Sequence, residues 1–501
     1  MRDCIKESNS LSDILKNHSD SEKIALIYRE QMLTFKDWDY RANCLSGVFS
    51  ILTQGKVVAI FIENSLNYAL SYFGILYSNK TVFPIMTKLK DQECLELIIF
   101  TNTDLIVSCE KYRSRLSRIL INCGFQTTIY FMDSGKYIKI GGKKKSHNSY
   151  NNSIDNVAML LVTSGTTGNA KIVMLTHKNL ISNAYSSCLS GEISEEDSTL
   201  IYLPMCYGFC NTAQLLSHVL VGGTIVIADT IFNPSSFFLL TEKYKITNFA
   251  AVPSMMGLLL HASKYSSIYN LDTLKKCFIG GAFMQENILD ELHILYPKIK
   301  FFITYGLTEC STRVSSIEFQ NGLRKHGSVG KAVKDVEIKI SYEGKDCLPF
   351  EIGEVLVKGP NVMKGYFNNE AETQKVLINN WFYTGDLGYK DLDGFLFLVG
   401  RIKNIIIRNG VNIYPEEVEK IILGNQGVID VCVCGENDKF EGEVPIAYVK
   451  LAPDFTLNEL KKYCKEFMAE YKIPCKFVVV GHIEKTLTGK VNRGKIHGYY
   501  K

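Results

Sequence analysis

The sequence predicts an α/β protein with a smaller α+β domain at its C-terminal end, and three observations carry that prediction. Its 501 residues exceed what one hydrophobic core usually holds, so two or more domains are expected. Apolar runs rich in β-branched residues alternate with longer segments of helical period, the pattern of strands and helices stacked in layers. Near Gly400 the pattern changes, and the remaining stretch of about 100 residues is long enough for a domain of its own.

Strand-like runs occupy Lys56 to Ile62, Val157 to Val162, Lys171 to Leu175, Gly223 to Ala228 and Lys298 to Thr304. The stretch Gly141 to Ser153 (GGKKKSHNSYNNS) has no periodicity and reads as an exposed loop before an apolar strand. Its three lysines fit a solvated loop better than a binding patch. Beyond Gly400 come a short apolar run, Asn404 to Ile407, and two strand-like runs, Val428 to Cys434 and Pro445 to Leu451. A helix-like segment, Leu457 to Tyr471, and a last strand, Lys476 to Val480, complete the small domain. The boundary is placed at Arg401 to Asn404, dividing the chain into 1–402 and 403–501.

Composition excludes several classes. Hydrophobic residues at 46% and charged residues at 22% are ordinary for a soluble globular protein. A net charge of +4 is small for this length, and nucleic-acid or membrane surfaces need concentrated basic charge. The fifteen cysteines are scattered, with Cys188, Cys277, Cys432 and Cys434 inside apolar stretches where a free thiol acts as a small hydrophobe. There is no Cys-x-x-Cys pair and no His cluster at zinc-ligand spacing, so a reducing compartment is expected. The N-terminus is polar and lacks a signal-peptide core, and no run of about 18 apolar residues occurs. The expectation is a cytoplasmic protein.

The strongest local signal is Thr163-Ser164-Gly165-Thr166-Thr167-Gly168-Asn169-Ala170-Lys171. Glycines let backbone N–H groups converge on an anion, and hydroxyls with a lysine add donors, so the composition is that of a phosphate cradle. The segment lies between two strand-like runs, unlike a Walker loop, which leads into a helix. A polar hairpin loop has the same residue types. Further segments favour the cradle. Tyr305-Gly306-Leu307-Thr308-Glu309 comes directly after a strand, where ligand sites of open α/β sheets lie. A tyrosine can cover a base there, while Thr308 and Glu309 offer hard oxygens to phosphate and Mg²⁺. Tyr383-Thr384-Gly385-Asp386 supplies a carboxylate suited to ribose hydroxyls, and Gly400-Arg401-Ile402-Lys403 a forked donor at the boundary. Lys485-Thr486-Leu487-Thr488-Gly489-Lys490 puts a lysine on a Gly-containing loop near the C-terminus.

With these segments in this order, the sequence resembles the superfamily of acyl- and aryl-CoA synthetases, nonribosomal-peptide adenylation domains and luciferases. The resemblance runs from Leu33-Thr34-Phe35 to Arg493 and includes GEVLVKGPNVMKGY (353–366), GVNIYPEEVE (410–419) and Tyr471-Lys472-Ile473-Pro474. It implies a large N-terminal domain of layered sheets and helices, a mobile C-terminal lid, and an active site in the cleft between them. It implies that Thr163, Ser164, Gly165, Thr166, Thr167, Gly168 and Lys171 bind the ATP β- and γ-phosphates. Gly281 and Ala282, with Tyr305 and Gly306, would flank adenine; Thr308 would touch the α-phosphate; Glu309 would hold Mg²⁺. Asp386 and Arg401 would hold the ribose, Lys403 would be the hinge, and Lys490 would bridge the attacking carboxylate and the α-phosphate. Two departures stand out: Ala170-Lys171-Ile172 replaces the usual Pro-Lys-Gly, and Asn404 stands where an Asp is common, which is expected to alter a lid contact.

The implied reaction is activation of a carboxylic acid by ATP to an acyl-AMP, with pyrophosphate released, then acyl transfer to a thiol. Two anions must meet, so cations and preorganised donors carry the step rather than a protein nucleophile. Leu203 to Phe209 matches the segment lining the acyl pocket, and Cys206 and Tyr207 provide no counter-charge for an ammonium. Tyr207, Phe209 and Gly280 therefore suggest an apolar or aromatic acid. Arg408-Asn409-Gly410 most resembles CoA ligases of fatty and aryl acids, with Gly410 leaving room for pantetheine. A phosphopantetheinylated carrier protein is the alternative acceptor, and a luciferase-like oxygenase or an inactive binding protein are the readings from other classes.

Overall fold

The computed structural model describes residues 10–142, 154–163, 171–319, 325–485, 491–493 and 496. Among these residues the strands form three sheets, of fifteen, eight and five strands. The two larger sheets belong to the N-terminal part and the third to the C-terminal part.

The eight-stranded sheet has a parallel centre, Val57–Phe61, Thr81–Pro84, Leu105–Ser108 and Thr127–Phe131, whose residues are buried on both faces. Such strands read as continuous apolar runs, which is why Lys56 to Ile62 was legible. The hairpin Val157–Val162 with Ile172–Thr176 closes onto this sheet, pairing Val162 with Ile172. The fifteen-stranded sheet carries the parallel run Thr224–Ile227, Ser198–Ile201, Asn248–Ala251, Lys276–Ile279 and Lys300–Tyr305. It continues through Ser315–Phe319 and Ser328–Ala332 into an antiparallel block that includes Trp381–Lys390 and Leu396–Arg401. The helices Phe35–Leu52, Leu66–Tyr77 and His177–Ser190 pack between the two sheets in one continuous apolar core. Capping boxes at Thr34 and Thr176 start the first and last of these helices by satisfying N–H groups that the helix leaves open.

The C-terminal part builds its own core from Ile406, Ile413, Val418, Ile422, Val431 and Leu460. The long antiparallel pair Val428–Asp438 and Gly442–Leu451 is its centre, flanked by the helices Pro415–Leu423 and Leu457–Phe467. The helix expected to reach Tyr471 ends at Phe467, where Met468 turns extended; a separate 3₁₀ turn, Glu470–Lys472, comes next. Pro474 accounts for the end of that turn, because the residue before a proline, Ile473, avoids helical geometry and is extended. No helix among the described residues is long and apolar enough to cross a membrane.

Candidate active site

The strand Lys300–Tyr305 delivers Tyr305 to the C-terminal edge of the parallel run. There the chain turns at Gly306, where a Cβ would lie 1.8 Å from the Thr312 carbonyl oxygen, so only glycine fits this backbone approach. A 3₁₀ turn, Thr308–Cys310, then places Glu309. Asp386 and Arg401 are directly opposed on the antiparallel strands Trp381–Lys390 and Leu396–Arg401. Their register brings Arg401 Nε to 2.5 Å from Asp386 Oδ1, while the Tyr305 hydroxyl donates to Asp386 Oδ2 at 2.7 Å. Two neighbouring strands and a residue 81 positions earlier thus meet at one carboxylate that is 5% exposed. Burial pushes the Tyr305 hydroxyl well above its ordinary range, with Asp386 adding to it. Burial also works against the Arg401 charge, but Asp386 overrides it and raises the guanidinium.

A second cluster faces the first. Thr163 closes the hairpin before the 164–170 segment by donating its N–H to the Lys171 carbonyl at 2.9 Å. The Lys171 ammonium sits 2.6 Å from Glu372 Oε2 and 4.8 Å from the Tyr366 ring centroid. The Tyr366 hydroxyl in turn donates to Glu309 Oε1 at 3.0 Å. Tyr366 arrives through a two-residue strand, Gly365–Tyr366, paired with Val173 and Met174. Hydrogen bonds from Lys171 and Lys375 hold the Glu372 carboxyl down at about 2. Sequence reasoning assigned no role to Glu372 or to the Tyr366 hydroxyl. The Lys171–Glu372 contact spans 201 positions, and no local spacing marks it.

Both clusters open into one cleft of about 1920 Å³. Of the residues singled out from the sequence, Thr163, Lys171, Gly281, Ala282, Tyr305, Gly306, Thr308, Glu309, Asp386, Arg401 and Lys403 all line it. Gly281 bends the chain there with φ +86°, a left-handed backbone that favours glycine. Ser164, Gly165, Thr166, Thr167, Gly168 and Lys490 lie outside the described residues. Lys485 and Val491, which bridge to each other on either side of 486–490, both line the cleft from the C-terminal side.

Tyr207, Phe209 and Gly280 do not line this cleft. Phe209 is packed against Gly280, whose missing side chain leaves the ring edge 3.3 Å from where a Cβ would stand. The Tyr207 hydroxyl points to Met86 Sδ at 3.4 Å. The apolar part of the cleft comes instead from Val252, Leu258, Phe283, Met284, Ile288 and Ile303, several of them on the helix Pro253–His261 and the segment after Gly281. Gly410 is also outside the lining. It forms the second residue of a two-residue hairpin with Asn409, both at positive φ (50° and 79°), and has nothing within 4 Å of a Cβ position. At the boundary, Asn404 donates to Glu416 Oε1 at 2.7 Å. An aspartate here would oppose Glu416 with like charge.

Glu309, on a cleft wall that Lys171 and Thr308 also line, is a carboxylate of the kind that suits Mg²⁺. That ion keeps several waters and takes one or two carboxylates with substrate phosphates rather than an all-protein cage. Glu309 has one oxygen engaged by Tyr366 and the other without a hydrogen bond from the protein among the described contacts.

Comparison with known proteins agrees with this geometry. Residues 16–367 match the model of the AMP-binding enzyme family, and 417–490 match that of the AMP-binding enzyme C-terminal domain. The 2-succinylbenzoate–CoA ligase of Bacillus subtilis is 30% identical over 477 residues, 95% of each chain. The structure of o-succinylbenzoate CoA synthetase from B. subtilis with its acyl-adenylate intermediate superposes with TM-score 0.84 at 30% identity, covering 96% of this chain and 97% of that one. The same enzyme in complex with ATP and magnesium ion gives TM-score 0.84 at 30% identity, covering 97% and 99%. The chain belongs to the AMP-binding enzyme family and is an AMP-forming acid–thiol ligase, using ATP, Mg²⁺ and CoA.

Proposed function

We propose that the protein activates an aryl acid of the 2-succinylbenzoate kind and transfers it to CoA. The observation that carries the reading is the convergence of Lys171, Glu309, Thr308, Asp386 and Arg401 on one cleft closed by the C-terminal part. The aryl preference draws support from the relatives' substrate, from the apolar wall around Val252 and Phe283, and from the absence of an acidic side chain at 203–209.

In this reading Asp386 accepts from the ribose hydroxyls and is held in place by Tyr305 and Arg401. Lys171 and the 163–168 segment neutralise the β- and γ-phosphates, and Gly281, Ala282 and Gly306 let the base lie close to backbone. Mg²⁺, bound through Glu309, supplies charge neutralisation of the phosphates. Lys490 meets the attacking carboxylate and the α-phosphate. A bond forms between a carboxylate oxygen and the α-phosphorus as the bond to the bridging oxygen breaks, and pyrophosphate leaves. Positioned charge is the whole of the catalysis at this stage. The CoA sulfur then attacks the acyl carbon, gives its proton to solvent, and AMP departs. We divide the chain at 402/403, with Lys403 as hinge; residues 403–501 would swing to bring Gly410 to the pantetheine. The present arrangement, with Lys485 and Val491 in the cleft lining and Gly410 outside it, supports an adenylate-forming pose. ATP use and buried free thiols support a cytoplasmic setting.

A pyrophosphate-release screen over aryl, fatty and amino acids, with CoA or a phosphopantetheinylated carrier protein as acceptor, tests this. The expected outcome is fastest turnover with an aryl acid, 2-succinylbenzoate among the strongest, and CoA as acceptor. Faster turnover of an α-amino acid overturns the pocket reading. Transfer to the carrier protein in preference to CoA overturns the acceptor.

A further inference from the structure

The helix Pro415–Leu423 meets the N-terminal part on the wall of the same cleft, where Lys420, Glu286, Phe283, His326 and Gly327 all contribute to the lining. Its last-turn residue Lys420 extends across the cleft mouth, and its ammonium lies 3.0 Å from Glu286 Oε1. Glu286 opens the helix Glu286–Leu295, where a negative charge is also favoured by the N-terminal end of the helix. The other carboxylate oxygen of Glu286 faces His326 Nδ1 at 3.5 Å. The Lys420 ammonium stands 5.5 Å from the centroid of the Phe283 ring, within cation–π range. Beneath the pair is Gly327, at φ +83°; a Cβ there would lie 2.9 Å from Lys420 Nζ and 3.1 Å from Glu286 Oε1. The seat for the pair exists because position 327 has no side chain.

We infer that the Lys420–Glu286 pair, seated over Gly327 and flanked by Phe283, is a positioning device that biases the lid toward the adenylate-forming pose. The inference rests on the two-pose reading of the proposed function and adds the residues that set the balance between the poses. Both partners are part-exposed, with side-chain accessibilities of 48% and 30%, so the contact is weak. Weakness suits the role. A lid that must leave this pose once per turnover cannot be locked into it, and a strong bridge would trap the enzyme after its first half-reaction. An exposed pair together with a cation–π contact shifts a two-state balance by roughly three- to tenfold. That is enough to favour closure over ATP and the acid without preventing release to the second pose. Neither residue is among those that would meet the phosphates or the attacking carboxylate in the proposed reaction, and in this inference Lys420 and Glu286 are positioning residues.

The test separates the half-reactions by rapid quench. Lys420→Gln and Glu286→Gln are each expected to slow acyl-AMP formation about three- to tenfold. Transfer from pre-made acyl-AMP to CoA is expected to stay at the wild-type rate or rise slightly. The charge-swapped double variant, Lys420→Glu with Glu286→Lys, is expected to recover adenylate formation to within about twofold of wild type. Equal slowing of both halves overturns the proposal, because it marks a general loss of structure. So does a swap no better than the single variants. If the wild-type protein itself makes no acyl-AMP, the underlying two-step reading fails, and that outcome is distinct from a failure of the latch.

Discussion

Lys171 and Glu309, the two charges that would handle the triphosphate, already have partners within the protein. Lys171 rests on Glu372, and Glu309 accepts from Tyr366. In the proposed reaction ATP would take Lys171 from an existing ion pair. Glu372→Gln keeps the shape and removes the competing charge, so it should lower the KM for Mg·ATP about two- to fivefold, the range of a part-exposed pair. Initial-rate kinetics against ATP check it; a raised KM would mean that Glu372 holds Lys171 in its working position. Lys171, Glu309, Asp386 and Arg401 were legible in the sequence because each stands in a short segment whose composition suits its chemistry. Glu372 was not, since its contact depends on the pairing of Gly365–Tyr366 with a strand about 190 residues earlier in the chain. The apolar wall of the cleft was not legible for a similar reason. Tyr207, Phe209 and Gly280 lie off the main cleft, and its apolar wall is assembled from residues of separate segments, Val252, Leu258, Phe283, Met284, Ile288 and Ile303, that no local pattern groups together.

At the level of elements, the strands were the most legible feature. Val157–Val162 falls where its apolar run predicts, and the parallel strands near residues 57, 224 and 300 lie within two residues of their runs. Burial on both faces makes such segments stand out. The antiparallel block around Trp381–Lys390 was less visible, because its order is set by pairing between distant segments rather than by local pattern. Turns carry their own constraints. Gly306→Ala would drive a methyl group into the Thr312 backbone, which cannot yield as a flexible side chain does. It should destabilise the protein by about 1–3 kcal/mol or more and displace the Thr308–Glu309 turn. Gly257→Ala is the control: it lies in the helix Pro253–His261 with nothing within 4 Å, and should raise stability by about 0.4–1 kcal/mol. Denaturant unfolding of the two variants compares them directly. If Gly306→Ala is as stable as Gly257→Ala, the close approach at this turn is not a constraint on the fold.

At the scale of the molecule, the two larger sheets and the five-stranded C-terminal sheet together contribute residues to one cleft, and the proposed closure turns on Lys403. The change of pattern near Gly400 is the basis of the proposed division, and the strands of the five-stranded sheet begin at Ile406–Arg408. The Lys420–Glu286 contact was not legible, since each is an ordinary helix-surface charge in its own segment and the two stand 134 positions apart. One chemical event underlies the enzyme's whole activity: reversible attack of a carboxylate on the α-phosphorus of ATP. Exchange of labelled pyrophosphate into ATP measures that event without CoA. The exchange is expected to require both Mg²⁺ and a carboxylic acid, and to fall by about 10²–10³-fold in Lys490→Ala. Acid-dependent formation of ADP and phosphate, with no label entering ATP, would contradict it.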